Sequence, residues 1–172
     1  KIAIIGESGS GKTTLLNIVH GEETPTSGQI SFAGQNLLRQ EITSLSSYIL
    51  QDSHYFDTLS LEDNIFLGLD KQEERLNHIL KTTGLEHLKN RTLSNDSLSG
   101  GEKQRLEIAR ALYHDSQLIL ADEIKANLDL ENSKKISDLL FSLPQTVIEV
   151  IHHYTEEDLK HYDQVVHLSK EK

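Results

Sequence analysis

The chain has 172 residues, which at roughly 100 to 200 residues per domain accommodates one compact domain and leaves little room for a second. Hydrophobic residues at 36% and charged residues at 26% describe an ordinary globular chain, and the longest apolar runs, Ile2–Ile5 and Leu118–Ala121, fall far short of the roughly 20 residues of a membrane span. With 17 Lys plus Arg against 27 Asp plus Glu the net charge is −10, which excludes the basic footprint of a nucleic-acid binder, and the lack of cysteine excludes disulfides, thiolate zinc sites and cysteine nucleophiles.

The chain contains no methionine and opens with Lys1 directly ahead of a core-like apolar run. It therefore reads either as a piece of a longer protein or as a chain lacking residues where methionines stood, in which case spacings run short by a residue or two. From that start, Lys1 to Ile5 predicts a buried strand ending at Gly6, and Thr13 to His20 predicts a helix stopped by Gly21. Alternation over Gln29–Ala33 and over Ser47–Gln51 predicts two further strands. Between Leu61 and Tyr113 the pattern turns helical: Leu76, Ile79, Leu80 and Thr83 share one face, as do Leu106, Ala109 and Tyr113. Leu118–Ala121 has the continuous apolar character of a strand covered on both faces of a parallel sheet. Ile136, Leu139, Leu140 and Leu143 form a helical stripe. Thr146 to Ile151 predicts a strand, Thr155 to His161 a short helix capped by Thr155 and Asp158, and Val165 to Leu168 a last strand. This rhythm predicts an α/β fold: a mostly parallel sheet flanked by helices, made of residues 1–60 and 114–172, with a helical subdomain, 61–113, inserted in it.

Three motifs carry chemistry. Gly6-Glu7-Ser8-Gly9-Ser10-Gly11-Lys12-Thr13 fits G-x-x-x-x-G-K-[ST] between a predicted strand and a predicted helix. Glycines let successive N–H groups converge on a phosphate, the helix adds its N-terminal dipole, Lys12 adds a positive charge, and Thr13 offers a hydroxyl to Mg²⁺. Asp122 and Glu123 lie just past the carboxyl end of a buried strand, where ligands of open α/β sheets bind. Beside a phosphate loop, Asp122 would hold Mg²⁺ through water and Glu123 would orient or deprotonate the attacking water. In Leu98-Ser99-Gly100-Gly101-Glu102, Ser99 and Glu102 have the spacing of a capping box. The two glycines do not follow from capping. Each costs up to about 1 kcal/mol relative to alanine inside a helix, so their succession implies a close approach to the backbone and offers a second anion-binding helix terminus.

Gly6 to Thr13, Gln51, Ser99 to Glu102 followed by Lys103-Gln104-Arg105 and Ala109-Arg110-Ala111, Asp122-Glu123, Leu128-Asp129 and His152 arrive in the order found in ABC-type ATPase domains. The chain resembles the nucleotide-binding domain of an ABC transporter along nearly its whole length, with a P-loop NTPase core and a helical subdomain carrying the signature motif. The resemblance implies ATP and Mg²⁺ as ligands. It implies that Gly6 to Thr14 hold the phosphates, that Thr13, Gln51 and Asp122 attend the metal, and that Lys12, Glu123 and His152 carry catalysis. It further implies that Ser99, Gly100, Gly101 and Glu102 reach the γ-phosphate held by a partner subunit and that Asp129 sits at the dimer contact. On a strand His152 and His153 would face opposite ways, and the alignment favours His152. The implied partners are a second ATPase domain, in a head-to-tail ATP-dependent homodimer, and a transmembrane domain at the cytoplasmic face of the membrane; nucleic acid is not among them.

Departures from the family pattern bear on these expectations. The strand bearing the family's adenine-stacking aromatic lies upstream of the phosphate loop, so this piece should bind adenine poorly. Lys125-Ala126-Asn127 stands where Pro-Thr-Ser is usual, and Glu102 replaces the commoner glutamine, but no catalytic group is lost. Tyr55 to Ile65 is similar to the exporter branch, in which the ATPase is fused behind a membrane domain, whereas Thr92 to Ser97 lacks that branch's Glu-rich loop. Alternatives are an ABC-type ATPase not coupled to transport, a phosphate-loop kinase acting on a small molecule, and a nucleotide-binding module without catalysis. The kinase has no use for Ser99 to Glu102, and the intact Glu123 argues against the silent module.

Overall fold

Short apolar runs and helical stripes alternate along the chain, and each settles where its periodicity allows burial. The computed structural model describes residues 1–52, 54–94 and 97–170, so part of the loop Thr92 to Ser97, namely Asn95 and Asp96, lies outside the described residues. In chain order the elements are β1 (Ile2–Gly6), α1 (Lys12–His20), β2 (Ser31–Phe32), β3 (Gln35–Asn36), α2 (Arg39–Leu45), β4 (Ser46–Ile49), α3 (Leu61–Phe66) and α4 (Glu73–Thr83). After a 3₁₀ turn at Glu86–Leu88 come α5 (Gly100–Tyr113), β5 (Leu118–Asp122), α6 (Leu130–Ser142), β6 (Thr146–Val150), α7 (Glu156–Leu159) and β7 (Gln164–Leu168). They divide between two compact units, one made of residues 1–48, 116–123 and 145 onward, the other of Ile49–Asp115 and Ile124–Pro144.

The first unit is organised by a five-stranded sheet in the order β4-β5-β6-β1-β7, in which β5–β6, β6–β1 and β1–β7 pair parallel. The core strand β1 shows why its apolar run is unbroken. Successive side chains of a strand point to opposite faces. Ile4 joins Leu16, Leu118, Leu120 and Val150 on the side of α1, whereas Ala3 and Ile5 pack with Ile151, Leu159, Tyr162 and Val165 on the side of α7. Both faces are covered, so neither can be polar. Helix α1 ends where Gly21 adopts φ 85°, with Gly21 N–H donating to Ile18 O and Glu22 N–H to Asn17 O, the paired bonds of a Schellman motif.

Two local features differ from the sequence reading. The strand expected at Gln29–Ala33 narrows to Ser31–Phe32, because Ala33 and Gly34 both take positive φ, 51° and 79°, and turn the chain into a two-residue hairpin with β3. Helix α2 was not anticipated: only Ile42 of its seven residues is buried, too sparse a stripe to read as a period. Its first turn is held instead by Glu41, whose carboxylate accepts from Leu38 N–H at 2.7 Å.

In the second unit α3, α4 and α5 enclose Leu61, Ile65, Leu76, Ile79, Leu80, Leu106, Ala109 and Tyr113. Tyr113 is the largest side chain sealed there, and its hydroxyl is satisfied twice, donating to Asp70 O and accepting from Gln72 N–H, each at 2.8 Å. Helix α6 belongs to the same unit and packs on α5.

Candidate nucleotide site

The phosphate loop hangs between β1 and α1 in the first unit. Gly9 and Gly11 have φ of 76° and 90°, a region that side chains with a Cβ rarely enter. Gly11 is also the residue before the first turn of α1; it is exposed, and a Cβ built on it meets nothing within 4 Å, so the helix N-terminus is open to solvent there. Gly6 has a different reason to be glycine: a Cβ there would lie 2.2 Å from the carbonyl oxygen of Leu168 on β7. Lys12 is 5% exposed, and its ammonium donates to the carbonyls of Gly6 and Glu7, both at 2.9 Å, so the loop is folded around its own cation. Thr14, the next residue but one, is exposed on α1.

At the end of β5 the chain delivers Asp122 to this loop. The residue is 8% exposed, and its Oδ2 accepts from the Thr13 hydroxyl at 2.9 Å and from the Tyr48 hydroxyl at 3.2 Å. Its Oδ1 is buried without a partner. A carboxylate oxygen left bare beside a threonine hydroxyl is chemistry that a hard divalent cation satisfies. Thr13 and Asp122 thus fit Mg²⁺. Burial raises the Tyr48 phenol well above its usual pKa, and the charge and hydrogen bond of Asp122 add to the shift, so the hydroxyl keeps its proton and donates it.

Glu123 follows in the left-handed region at φ 53°, a conformation that is uncommon outside glycine and costs on the order of 1 kcal/mol or more. Its backbone N–H donates to Val150 O at 3.3 Å, and its Oε1 meets Nε2 of His152 at 2.9 Å, with both side chains about 30% exposed. The strand expected to reach Ile151 stops at Val150, so His152 and His153 lie in a bend and do not alternate across a sheet. The two are separated by partner instead: His152 pairs with Glu123 while His153 is exposed.

The remaining candidates are in the second unit. Ser99 caps α5; its hydroxyl and its N–H donate to Glu102 Oε2 at 2.7 and 2.8 Å, and Nε2 of His87 meets Glu102 Oε1 at 2.8 Å. Partial burial works against the charge of Glu102, but the Ser99 and His87 bonds outweigh it and hold the carboxyl below its usual pKa. The close approach implied by Gly100 and Gly101 comes from this chain itself. A Cβ on Gly101 would lie 2.7 Å from Asn132 Oδ1 of α6, and one on Gly100 3.1 Å from Leu128 Cδ2. Asp129 caps α6, accepting from Asn132 N–H and Nδ2, each at 2.8 Å, and these bonds lower its pKa. Gln51 is exposed, and its backbone carbonyl accepts from Nε2 of Gln104 at 2.9 Å. Two residues at these sites had no role in the sequence reading. Tyr48 precedes Gln51 by three on a strand edge, and Gln104, 4% exposed, stands within the signature helix; neither shows its partner until the chain is folded.

A mostly parallel sheet flanked by helices, a glycine loop feeding a helix, and two carboxylates at the end of the next strand but one define a phosphate-loop nucleotide-binding fold. The family model described as ABC transporter matches residues 1–126, and the chain belongs to that family. It is 40% identical to the ABC transporter ATP-binding protein YxdL of Bacillus subtilis (strain 168) across 82% of its own residues; the match spans 60% of that relative, so the chain corresponds to part of its length. Among solved structures it is similar to cbiO1 from Clostridium perfringens, part of the ABC transporter complex cbiONQ, with TM-score 0.79 and 28% identity over 88% of this chain and 66% of that one. It is also similar to the ATP-binding cassette MJ0796, described as a dimer in a post-hydrolysis state bound to ADP and Pi, with TM-score 0.77 and 30% identity over 97% of this chain and 80% of that one. Members of the family bind ATP with Mg²⁺ and hydrolyse it in transport. No helix among the described residues is long and apolar enough to cross a membrane.

Proposed function

We propose that this chain binds and hydrolyses ATP and that the hydrolysis powers movement of a substrate across a membrane through an associated or fused transmembrane domain of the exporter type. The observation that carries the hydrolytic reading is the Glu123–His152 pair at 2.9 Å, set directly after Asp122 in the unit that holds the phosphate loop. The open helix N-terminus at Gly11 accepts the phosphate chain. Lys12 exchanges its bonds to Gly6 O and Glu7 O for phosphate oxygens. Thr13, Asp122 and Gln51 attend Mg²⁺, which when bound neutralises phosphate charge and fixes the geometry of the β- and γ-groups. Glu123 Oε takes a proton from water as its oxygen bonds to the γ-phosphorus and the bond to the β-γ bridging oxygen breaks, leaving ADP and inorganic phosphate. His152 holds the Glu123 carboxylate in the orientation that receives that proton.

The signature residues belong to the same reaction in a second copy. Ser99 at the N-cap of α5 and Gly100 behind it are exposed in the second unit, whereas Gly101 is buried, and Asp129 stands exposed at the start of α6. In a head-to-tail pair, Lys12 of one copy and Ser99 of the other close on one γ-phosphate, giving two equal sites. The dimeric, ADP- and Pi-bound state of a relative 30% identical supports this arrangement, and the membership of another in a transporter complex supports a membrane partner and a location at the cytoplasmic face of the membrane. The residues that hold the nucleotide in this reading are Gly6 to Thr14, with Gln51, Ser99 to Glu102 and Asp129.

The test is Glu123→Gln, which keeps the shape of the side chain and removes its basicity. Nucleotide binding is expected to persist while phosphate release falls by a factor of about 10² to 10⁴. Phosphate release at the wild-type rate would show that another group handles the water.

A further inference from the structure

Asp122 is the carboxylate on which the proposed magnesium site depends, and two hydroxyls from different elements hold it. Thr13 and Tyr48 both donate to Oδ2, at 2.9 and 3.2 Å, which leaves Oδ1 buried and bare. A threonine hydroxyl has one proton and two lone pairs, so Thr13 can face a cation and still donate to the carboxylate, but the ion then shares in setting its orientation. Tyr48 is the other hydrogen-bond donor to Asp122 among those the described residues supply, and it has no such second duty.

Tyr48 is itself well placed to stay. Its ring packs with Ile4, Leu16, Leu118, Leu120 and Val150 on one face of the sheet. It also meets the His20 ring edge-on, centroids 5.5 Å apart, and His20 is fixed in turn by the Ser46 hydroxyl at 2.8 Å. Every one of these residues lies in the first unit. The phenol is therefore a rigid arm that reaches from β4 to the end of β5.

We propose that Tyr48 is a positioning residue for the metal site: with Thr13, its hydroxyl pins Asp122 Oδ2 and so leaves Oδ1 available to Mg²⁺. The proposal rests on the magnesium reading of Thr13 and Asp122 given above. A donor that holds a metal-facing carboxylate from behind sets its orientation and its effective affinity for the ion. The removal of the hydroxyl therefore weakens the response to Mg²⁺ and leaves the phosphate cradle alone.

The experiment uses the full chain, ADP carrying a fluorescent ribose label, and a Mg²⁺ titration at fixed nucleotide, with EDTA as the metal-free reference. Tyr48→Phe keeps the ring and its packing. It is expected to raise the Mg²⁺ concentration at half-response by about tenfold, with the affinity in EDTA unchanged. Asp122→Asn is run beside it and is expected to raise that concentration further. An unchanged half-response in Tyr48→Phe, with a raised one in Asp122→Asn, overturns the role of Tyr48 and leaves the magnesium site standing. Equal weakening with and without Mg²⁺ overturns it as well, since packing alone would do that. A wild-type chain that binds labelled ADP without regard to Mg²⁺, or does not bind it, overturns the reading of the site and the proposal together.

Discussion

Lys12 and Glu123 carry opposite charges in one unit, and each is held by the backbone or side chain of a neighbour before any ligand arrives. The ammonium of Lys12 is bonded to two loop carbonyls, so its charge is not left bare at the centre of the loop. Replacement of Lys12 by alanine removes the only cationic side chain of the loop and keeps its glycines. Nucleotide binding or hydrolysis is expected to be lost, as read by labelled-nucleotide titration and phosphate release, and turnover at the wild-type rate would remove Lys12 from the site. The glycine spacing made this part of the site readable in the sequence, because a loop and the helix behind it are contiguous. Tyr48 was not readable for the opposite reason. Its partner Asp122 is 74 residues away, and no local pattern records a bond that forms only when β4 and β5 become members of one sheet.

Helices α5 and α6 meet at their first turns, and the contact decides what residue 101 can be. Asn132 is fixed by its bond to Asp129 Oδ2 at 2.8 Å, so it cannot swing aside when a methyl group arrives 2.7 Å from its Oδ1. Gly101→Ala gains up to about 1 kcal/mol of helix propensity and pays an overpacking cost of about 1–3 kcal/mol. It is expected to lower the thermal midpoint, whereas Gly100→Ala, which meets only the end of Leu128, is expected to change it less; the reverse order in a melting experiment would refute the contact. Glu102 gives a pH signature in the same turn. Its pKa lies below the usual 4.5, so its contribution to stability is complete above that value and is lost as pH falls through the lower folded value. The melting difference between wild type and Glu102→Gln should therefore shrink as the pH is taken below 4.5, and a constant difference would mean that the carboxylate is not held by Ser99. The stripes of α4, α5 and α6 were legible from their 3.6-residue period, since Leu76, Ile79, Leu80, Leu106, Ala109, Ile136 and Leu139 are all buried. The two glycines were legible as an anomaly, but the cause was not, because Asn132 lies on a different helix.

At the scale of the whole molecule, one chain presents a phosphate loop in its first unit and a glycine-opened helix in its second, and the proposed reaction needs the loop of one copy with the helix of another. Specific activity per chain is expected to rise with protein concentration. Glu123→Gln with Mg·ATP should sediment as a dimer, and Ser99→Arg should abolish activity while labelled nucleotide still binds. A rate independent of concentration, with monomer alone under trapped ATP, would rule out the composite site. The sheet order carries a separate consequence for how the molecule is made. Strand β1 lies between β6 and β7, and Gly6 at its end is in register with Leu168. In synthesis β1 therefore waits for partners that lie far downstream of it, β6 and β7. The helical cluster between Leu61 and Tyr113 closes over far shorter loops and can fold while β1 is still unpaired. The phosphate loop at the end of β1 is thus fixed only after the signature helix, and a chain interrupted before β6 yields that helix without the loop.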